Sequence, residues 1–411
     1  MSANRFITIC GEVFSNNLGD GIIAASLAYL IRKTRPDLTL RWADLSDRSS
    51  TKTDRPGGKS NSGTAPALPS PRSSGWLRAW KRGQAYRRLR NLVRWRLRER
   101  RRMRQLWRPN LRGSSLAIIG GGQLLMDNAL NFPLRVAEIV RCCRENDVKV
   151  AFHACGVEPH MSLLGKGLLH RALTNPIVSS ISVRHSGDAL RQLFPELRAK
   201  TRVVWDPALC APEALGIAPG LPQRGLVGLG VIGPNVLRGH PAGLRGIDRE
   251  EFLRFWQQLA LQLTQRGYRV ALFSNGNPGD HSFAEKVAAT LVDSAAEKSS
   301  VILLPRPESP GELVSLISQC QGIVAFRLHA NIVAYALGRP AVGISWDEKL
   351  LEFGRFSGRE EFFLSYRQAD ARLVVESFEE AVRRGVDRAA LAAQKDAAQR
   401  EVEEMLAQAG L

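Results

Sequence analysis

The chain has 411 residues, 44% hydrophobic and 24% charged, a composition that excludes a disordered chain and provides for roughly two to three ordinary cores. Its net charge of +19 is concentrated in residues 72–112, where sixteen Arg and Lys stand against the single acid Glu99; basicity therefore says nothing about the rest of the chain. The six cysteines form no Cys-x-x-Cys pair, no window has about 18 uncharged apolar residues, and residues 1–5 lack a signal peptide's pattern, so a cytoplasmic protein with reduced thiols is expected.

In chain order, residues 5–11 read as a buried strand, residues 22–34 as a helix with one apolar face, and residues 38–44 as a second strand, which together make a βαβ unit. Residues 46–75 are rich in Ser, Pro, Gly and Thr and read as a flexible insert. A basic helix is predicted over 76–107. Strands are predicted over 116–119, 148–154, 177–183 and 203–205, with a helix over 134–146. Pro207, Pro212, Pro219 and Pro222 mark a linker, placed at 211–224. A second βα series then runs through strands at 225–232, 270–274, 301–303, 322–326 and 341–345, with helices at 252–267, 282–292, 311–320 and 330–337. Two terminal helices are expected beyond residue 365. The expected organisation is two Rossmann-like doubly wound α/β domains facing a cleft. Residues 1–210 form the first, which carries the insert 46–112. Residues 225–350 form the second, and 351–411 supply C-terminal helices.

The basic segment has three readings. Tyr86, Leu89, Val93 and Leu97 make an apolar stripe, and Trp76, Trp80, Trp95 and Trp107 are interleaved with arginines. That pattern suits an anionic membrane surface. It equally suits a helix docked on its own domain. Nucleic acid has only the charge in its favour, with no recognised module around it, and is not expected as a partner.

In open α/β sheets ligands bind at the carboxyl ends of strands. Arg327-Leu328-His329 lies where a predicted strand meets a helix N-terminus, a place that favours anions. Arg327 offers a planar fork to a carboxylate or phosphate, and His329 a titratable ring. A buried Arg paired with an acid and a helix-capping His fit the same spacing. Gly120, Gly121 and Gly122 end another strand, where the backbone can approach a ligand or simply turn. Asn17, Gly19 and Asp20 lie at the first strand–helix junction, with Asp20 placed to cap the helix. Arg184 and Lys349 follow strands. Asp206 precedes Pro207 at a strand end, in a turn, and His153 and His185 end strands beside the expected cleft. No phosphate-loop, dinucleotide or metal-binding spacing is present, so neither cofactor nor metal is expected.

Taken together, these pieces resemble the polysaccharide pyruvyltransferase family: Asn17, Gly19 and Asp20; Gly120–Gly122 with Leu124, Leu125 and Asp127; Ser182-Val183-Arg184; Asp206-Pro207; Arg327-Leu328-His329-Ala330; Gly338-Arg339-Pro340; and Trp346-Asp347-Glu348-Lys349. The resemblance spans about residues 6–353. It implies a glycosyltransferase-B-like fold, phosphoenolpyruvate as donor, a sugar of a surface polysaccharide or its lipid-linked precursor as acceptor, and a cyclic pyruvate ketal as product. It places Arg327 and His329 on donor-site positions, with Arg184, Leu328 and Lys349 beside them; Arg327 and His329 are the expected catalytic residues, and the titratable ring of His329 suits the acid/base role. Asn17, Gly19, Asp20, Gly120–Gly122, Asp127, His153 and Asp206 fall on the acceptor side of the cleft. His185 departs from the Asp usual after the Ser-Val-Arg triplet, and the loop around Asn17 departs from the family's aromatic and Gly pattern. Two other functions are compatible with the same fold. One is a glycosyltransferase using a nucleotide sugar, for which Glu348 is the nearby ribose-binding candidate. The other is a non-catalytic, membrane-associated assembly protein.

Overall fold

A computed structural model describes residues 6–46, 83–184, 187–218, 220–239, 247–292 and 300–411. Among these residues, twelve strands build two six-stranded sheets in which all pairings are parallel. Parallel sheets are covered on both faces, so their central strands are apolar runs rather than alternations. The first sheet has the order β2 (Thr39–Asp44), β1 (Phe6–Gly11), β3 (Ser114–Gly120), β4 (Lys149–Cys155), β5 (Val178–Val183), β6 (Thr201–Val203). The second has the order β12 (Phe363–Ser365), β11 (Ala341–Ser345), β10 (Gly322–Ala325), β7 (Leu226–Gly230), β8 (Arg269–Phe273), β9 (Val301–Leu303). β7, β10 and β11 are buried at every residue.

Chain order reverses between β1 and β3 in one sheet and between β7 and β10 in the other. Such reversals open a crevice at the carboxyl ends of the strands. The helix Leu18–Thr34 starts from one of them and reaches the other unit with its first turn. Leu18 N–H donates to Asn275 O at 3.1 Å, and the Leu18 side chain joins the second sheet's core. The last helix, Arg388–Gln408, crosses back: Val402, Met405 and Leu406 pack with Ile7, Ile9 and Leu27 of the first unit. The edge strand β12 lies inside residues 351–411, where helices are expected from the sequence. Three residues are too short to show a strand's periodicity, and the helix Ala371–Arg384 begins only after its cap, Asp370.

The described part of the basic segment docks on the first unit. Helices Gln84–Arg94 and Arg100–Leu111 flank a π-helical stretch, Trp95–Glu99. Trp95, Met103, Trp107 and Leu111 are buried in the first unit's core, and Trp107 Nε1–H donates to Asp44 O at 2.8 Å. This corrects the expectation that Trp95 and Trp107 are available to a membrane. Inward-facing arginines are neutralised: Arg100 and Arg104 bond Glu138, and Arg104 also bonds Glu145. Leu89, Val93 and Leu97 remain 53%, 46% and 76% exposed, an apolar ridge four residues apart on the outer side. Trp76, Trp80, His185 and nearly all of the Ser/Pro/Gly-rich stretch lie outside the described residues. The six cysteines are buried and free of disulfide bonds.

Candidate active site

The turn after β10 places the most specific residues. Arg327 occupies the N-cap of the helix Leu328–Ala336 in extended conformation. Asn331, wholly buried, fastens this turn by donating from Nδ2 to Ala325 O and Arg327 O, each at 3.0 Å. The Arg327 guanidinium donates to Asp280 Oδ2 from Nε at 3.1 Å and from Nη2 at 2.5 Å. Asp280 is fully buried, and its other oxygen accepts Gly233 N–H at 2.9 Å. Asp280 thus ties Arg327 to the loop after β7. It was not foreseen, because Asn277-Pro278-Gly279-Asp280 reads as an ordinary helix start and its partner is 47 residues away. A buried charge of this kind is costly unless paired, so the pair is a built feature.

His329 belongs to the second unit but is held by the first. Its Nε2 lies 3.0 Å from Arg184 Nη1 and 3.9 Å from Asp206 Oδ2, while Arg184 Nη1 donates to Asp206 Oδ2 at 2.7 Å. A guanidinium only donates, so Nε2 is the acceptor and the ring proton sits on Nδ1. Burial pushes the His329 pKa down to about 3, helped by Arg184, Arg327 and Lys349 and opposed by Asp206. The ring is neutral, with its Nε2 lone pair directed at a cation. Its Nδ1 edge lies on Gly19: a Cβ there would fall 2.2 Å from Nδ1.

Arg184, Arg327, Leu328, His329 and Lys349 line one cleft of about 250 Å³, together with Asn17, Asp20, Glu12 and Gln123 from the first unit. Lys349 Nζ lies 3.1 Å from Asp347. The first helix begins at Leu18, so Asp20 sits in its first turn rather than capping it. Asp20 Oδ2 accepts from Asn17 Nδ2 at 3.1 Å.

The remaining candidates lie off the cleft wall. Asp206 stands behind Arg184, and its Oδ1 also accepts Ala208 N–H in the turn. Gly120 lets strands approach: a Cβ there would meet His153 O at 2.3 Å. Gly121 takes φ +78, and Gly122 backs Asp20, whose Oδ1 would lie 3.4 Å from an added Cβ. His153 is buried with Nδ1 3.2 Å from Ser182 Oγ. Asp127 accepts Leu130 N–H and Ser162 N–H at 2.7 and 2.6 Å, which makes it the clasp of a tight turn.

Two neutral buried histidines make stability depend on pH. Burial holds His153 down to about 4, against the pull of Asp206, and His329 at about 3, both from an ordinary 6.5. Below about pH 6.5 the unfolded chain binds protons that the folded chain refuses, so each group's contribution is present above that pH and is lost as pH falls towards 4–3. At pH 5 each costs about 2 kcal/mol relative to neutrality. Glu401, which burial pushes up to about 7, works in the opposite sense, so the informative quantity is a difference between proteins. His153→Asn is expected to lose less Tm than the wild type between pH 7.5 and 5. Equal losses would mean that His153 is not desolvated.

A family model described as polysaccharide pyruvyl transferase matches residues 17–348, ending one residue before Lys349. No curated protein matches the chain. Similar solved structures include UDP-GlcNAc 2-epimerase from Methanocaldococcus jannaschii, at 12% identity and TM-score 0.57 over 98% of this chain and 99% of that chain. UDP-GlcNAc 2-epimerase from Neisseria meningitidis bound to UDP-GlcNAc gives 11%, 0.51, 98% and 100%, and a UDP-glucosyltransferase from Polygonum tinctorium 12%, 0.50, 100% and 99%. At such identities the likeness is one of fold, the glycosyltransferase-B-like pairing of two α/β units.

Proposed function

The chain belongs to the polysaccharide pyruvyl transferase family, and from that premise we propose that it transfers the pyruvyl group of phosphoenolpyruvate to two hydroxyls of one sugar, on a surface polysaccharide or its lipid-linked precursor, as a cyclic ketal. The observation that carries this reading is the convergence of Arg184, Arg327 and Lys349 around a neutral His329 in one cleft. The donor's phosphate and carboxylate need several cations, and fixed cations also stabilise phosphate as it leaves. With the donor bound, Arg184 turns from Nε2 to the donor's anion, which frees the ring's lone pair; His329 then takes the proton of the first hydroxyl as that oxygen bonds to the donor's C2 and passes it to the methylene carbon, which becomes the methyl group. The second hydroxyl then displaces phosphate by C–O cleavage, and its proton leaves with the phosphate. The donor's negative charges offset the cations that hold the His329 pKa down, which eases its transient protonation. Asp280 and Asp206 are positioning residues for Arg327 and Arg184.

A nucleotide-sugar donor has less support. Glu348 is exposed and bonded to Arg355 at 2.9 Å, turned away from the cleft. Phosphoenolpyruvate is expected to raise Tm by several degrees at saturating concentration, more than UDP-, GDP- or CDP-sugars do. A shift given by nucleotide sugars and not by phosphoenolpyruvate would overturn the donor assignment.

No helix among the described residues is long and apolar enough to cross a membrane. We place the protein in the cytoplasm, held at an anionic membrane by residues 72–112. The support is the exposed Leu89, Val93 and Leu97 ridge with exposed Arg90, Arg94, Arg96 and Arg98 beside it. Each arginine near such a surface contributes about 1 kcal/mol. The protein is expected to sediment with phosphatidylglycerol vesicles and to be released by salt. Leu89→Ser/Val93→Ser/Leu97→Ser should weaken this binding at least tenfold without unfolding the protein. Unchanged sedimentation would remove the ridge from the proposal.

A further inference from the structure

A second, larger groove of about 870 Å³ runs between the basic helix Gln84–Arg94 and the loops at 126–131 and 158–161. It adjoins the candidate active site. Met126 lines both, and Gln123 of the cleft donates to Glu158 of the groove at 3.3 Å. Arg87, Arg88, Arg90 and Arg94 form one wall. Arg88 is spent partly on Asp127, at 3.5 Å, and Arg94 on Glu99, at 2.7 Å. Arg87 and Arg90 are exposed and pair with no carboxylate among the described residues.

The opposite wall is held in a demanding shape. Asn128, Ala129 and Leu130 take φ of 39, 52 and 71, three successive non-glycine residues in the left-handed region. Such backbone is strained and persists only where its surroundings enforce it. Two clasps do so here. Asp127 accepts Leu130 N–H, and Asn91 of the basic helix donates to Ala129 O at 3.0 Å. The Asn91 Oδ1 atom, buried at the same place, has no partner among the described residues. Strained backbone is thus fastened directly to the cationic helix, at the mouth of the cleft.

We propose that this groove binds an anionic segment of the acceptor, so that the enzyme selects a saccharide bearing phosphate or carboxylate next to the sugar that is modified. Arg87 and Arg90 supply the open charges. This rests on the pyruvyl-transfer reading for the identity of the neighbouring cleft. It differs from the outward ridge: Arg87, Asn91 and Arg94 fall on another side of the helix from Leu89 and Val93, Arg90 stands at the border of the two, and Leu97 lies beyond this helix in the π-helical stretch.

The test titrates the full-length protein, with saturating phosphoenolpyruvate present to fill the donor cleft. Two soluble probes distinguish the anion's source: inorganic pyrophosphate for a phosphate linker, and trigalacturonate for an acidic sugar. At least one should bind with one-to-one stoichiometry. Arg87→Gln/Arg90→Gln should weaken it about tenfold, while the charge-matched control Arg98→Gln/Arg101→Gln changes it less than threefold. The phosphoenolpyruvate-induced Tm shift should be the same in all three proteins. Equal weakening by both double variants, or binding of neither probe, overturns the groove proposal, including the case in which only phosphatidylglycerol vesicles bind. Loss of the phosphoenolpyruvate shift in the wild type would instead count against the donor reading while leaving probe binding to be judged by itself.

Discussion

Alanine in place of His329 is expected to lower turnover by about 10²–10⁴-fold, the usual worth of a positioned acid/base group, with little change in affinity for phosphoenolpyruvate. The ring is the cleft's one neutral titratable nitrogen among the described residues. Its Nε2 lone pair points to Arg184, and its proton is confined to Nδ1. Arg327→Lys should show the complementary pattern. A lysine cannot keep the two-point contact with Asp280 and still present a planar edge to an anion, so donor affinity should fall and KM should rise more than kcat falls. Phosphate release under steady state, together with calorimetric titration of phosphoenolpyruvate, separates the two effects. The pH profile adds an independent reading. In the free enzyme His329 is held to about 3, so kcat/KM should show no His329 limb between pH 5 and 8. Wild-type turnover in His329→Ala would remove the residue from the chemistry altogether.

The parts of this site legible in the sequence are those in which the signal is local. A four-residue apolar strand, then Arg327-Leu328-His329, then a helical run is a strand–turn–helix unit whatever the rest of the chain does, and its polar residues must emerge at the sheet's carboxyl edge. The α/β class follows from the same alternation repeated along the chain. Asp280 was hidden because its meaning depends on register across β8, β7 and β10, which brings a helix's first turn against a side chain 47 residues later. Gly120–Gly122 and Asp127 were read towards the cleft, although strand packing and a left-handed turn account for Gly120 and Asp127 where they stand. In the basic segment, tryptophans interleaved with arginines look alike whether they face lipid or core. Helical spacing does not decide between them, because the π stretch Trp95–Glu99 breaks the period midway. Only the partners settle it: Trp107 finds the Asp44 carbonyl, while Leu97 stays exposed among the described residues.

The contact between Gly19 and His329 yields the most demanding expectation. An added Cβ at position 19 would lie 2.2 Å from His329 Nδ1, 2.6 Å from its Cγ and 2.8 Å from its Cβ. Rotating the imidazole moves the first two atoms but not the third, which is fixed by the backbone of the helix Leu328–Ala336. Relief therefore requires the two units to part at the cleft, where Arg184 and Asp206 of one unit hold His329 of the other. Overpacking of this kind costs about 1–3 kcal/mol, and a displacement of about 1 Å between catalytic groups costs on the order of 10²-fold in rate. Gly19→Ala is thus expected to lower kcat about a hundredfold and Tm by several degrees. The double-mutant cycle identifies the cause. In a His329→Ala background the 2.8 Å contact with Cβ remains, so part of the stability cost of Gly19→Ala should persist. In a His329→Gly background that atom is gone, and Gly19→Ala should become nearly neutral for stability. If its cost is the same in all three backgrounds, the clash lies elsewhere and the two units are not joined through this histidine.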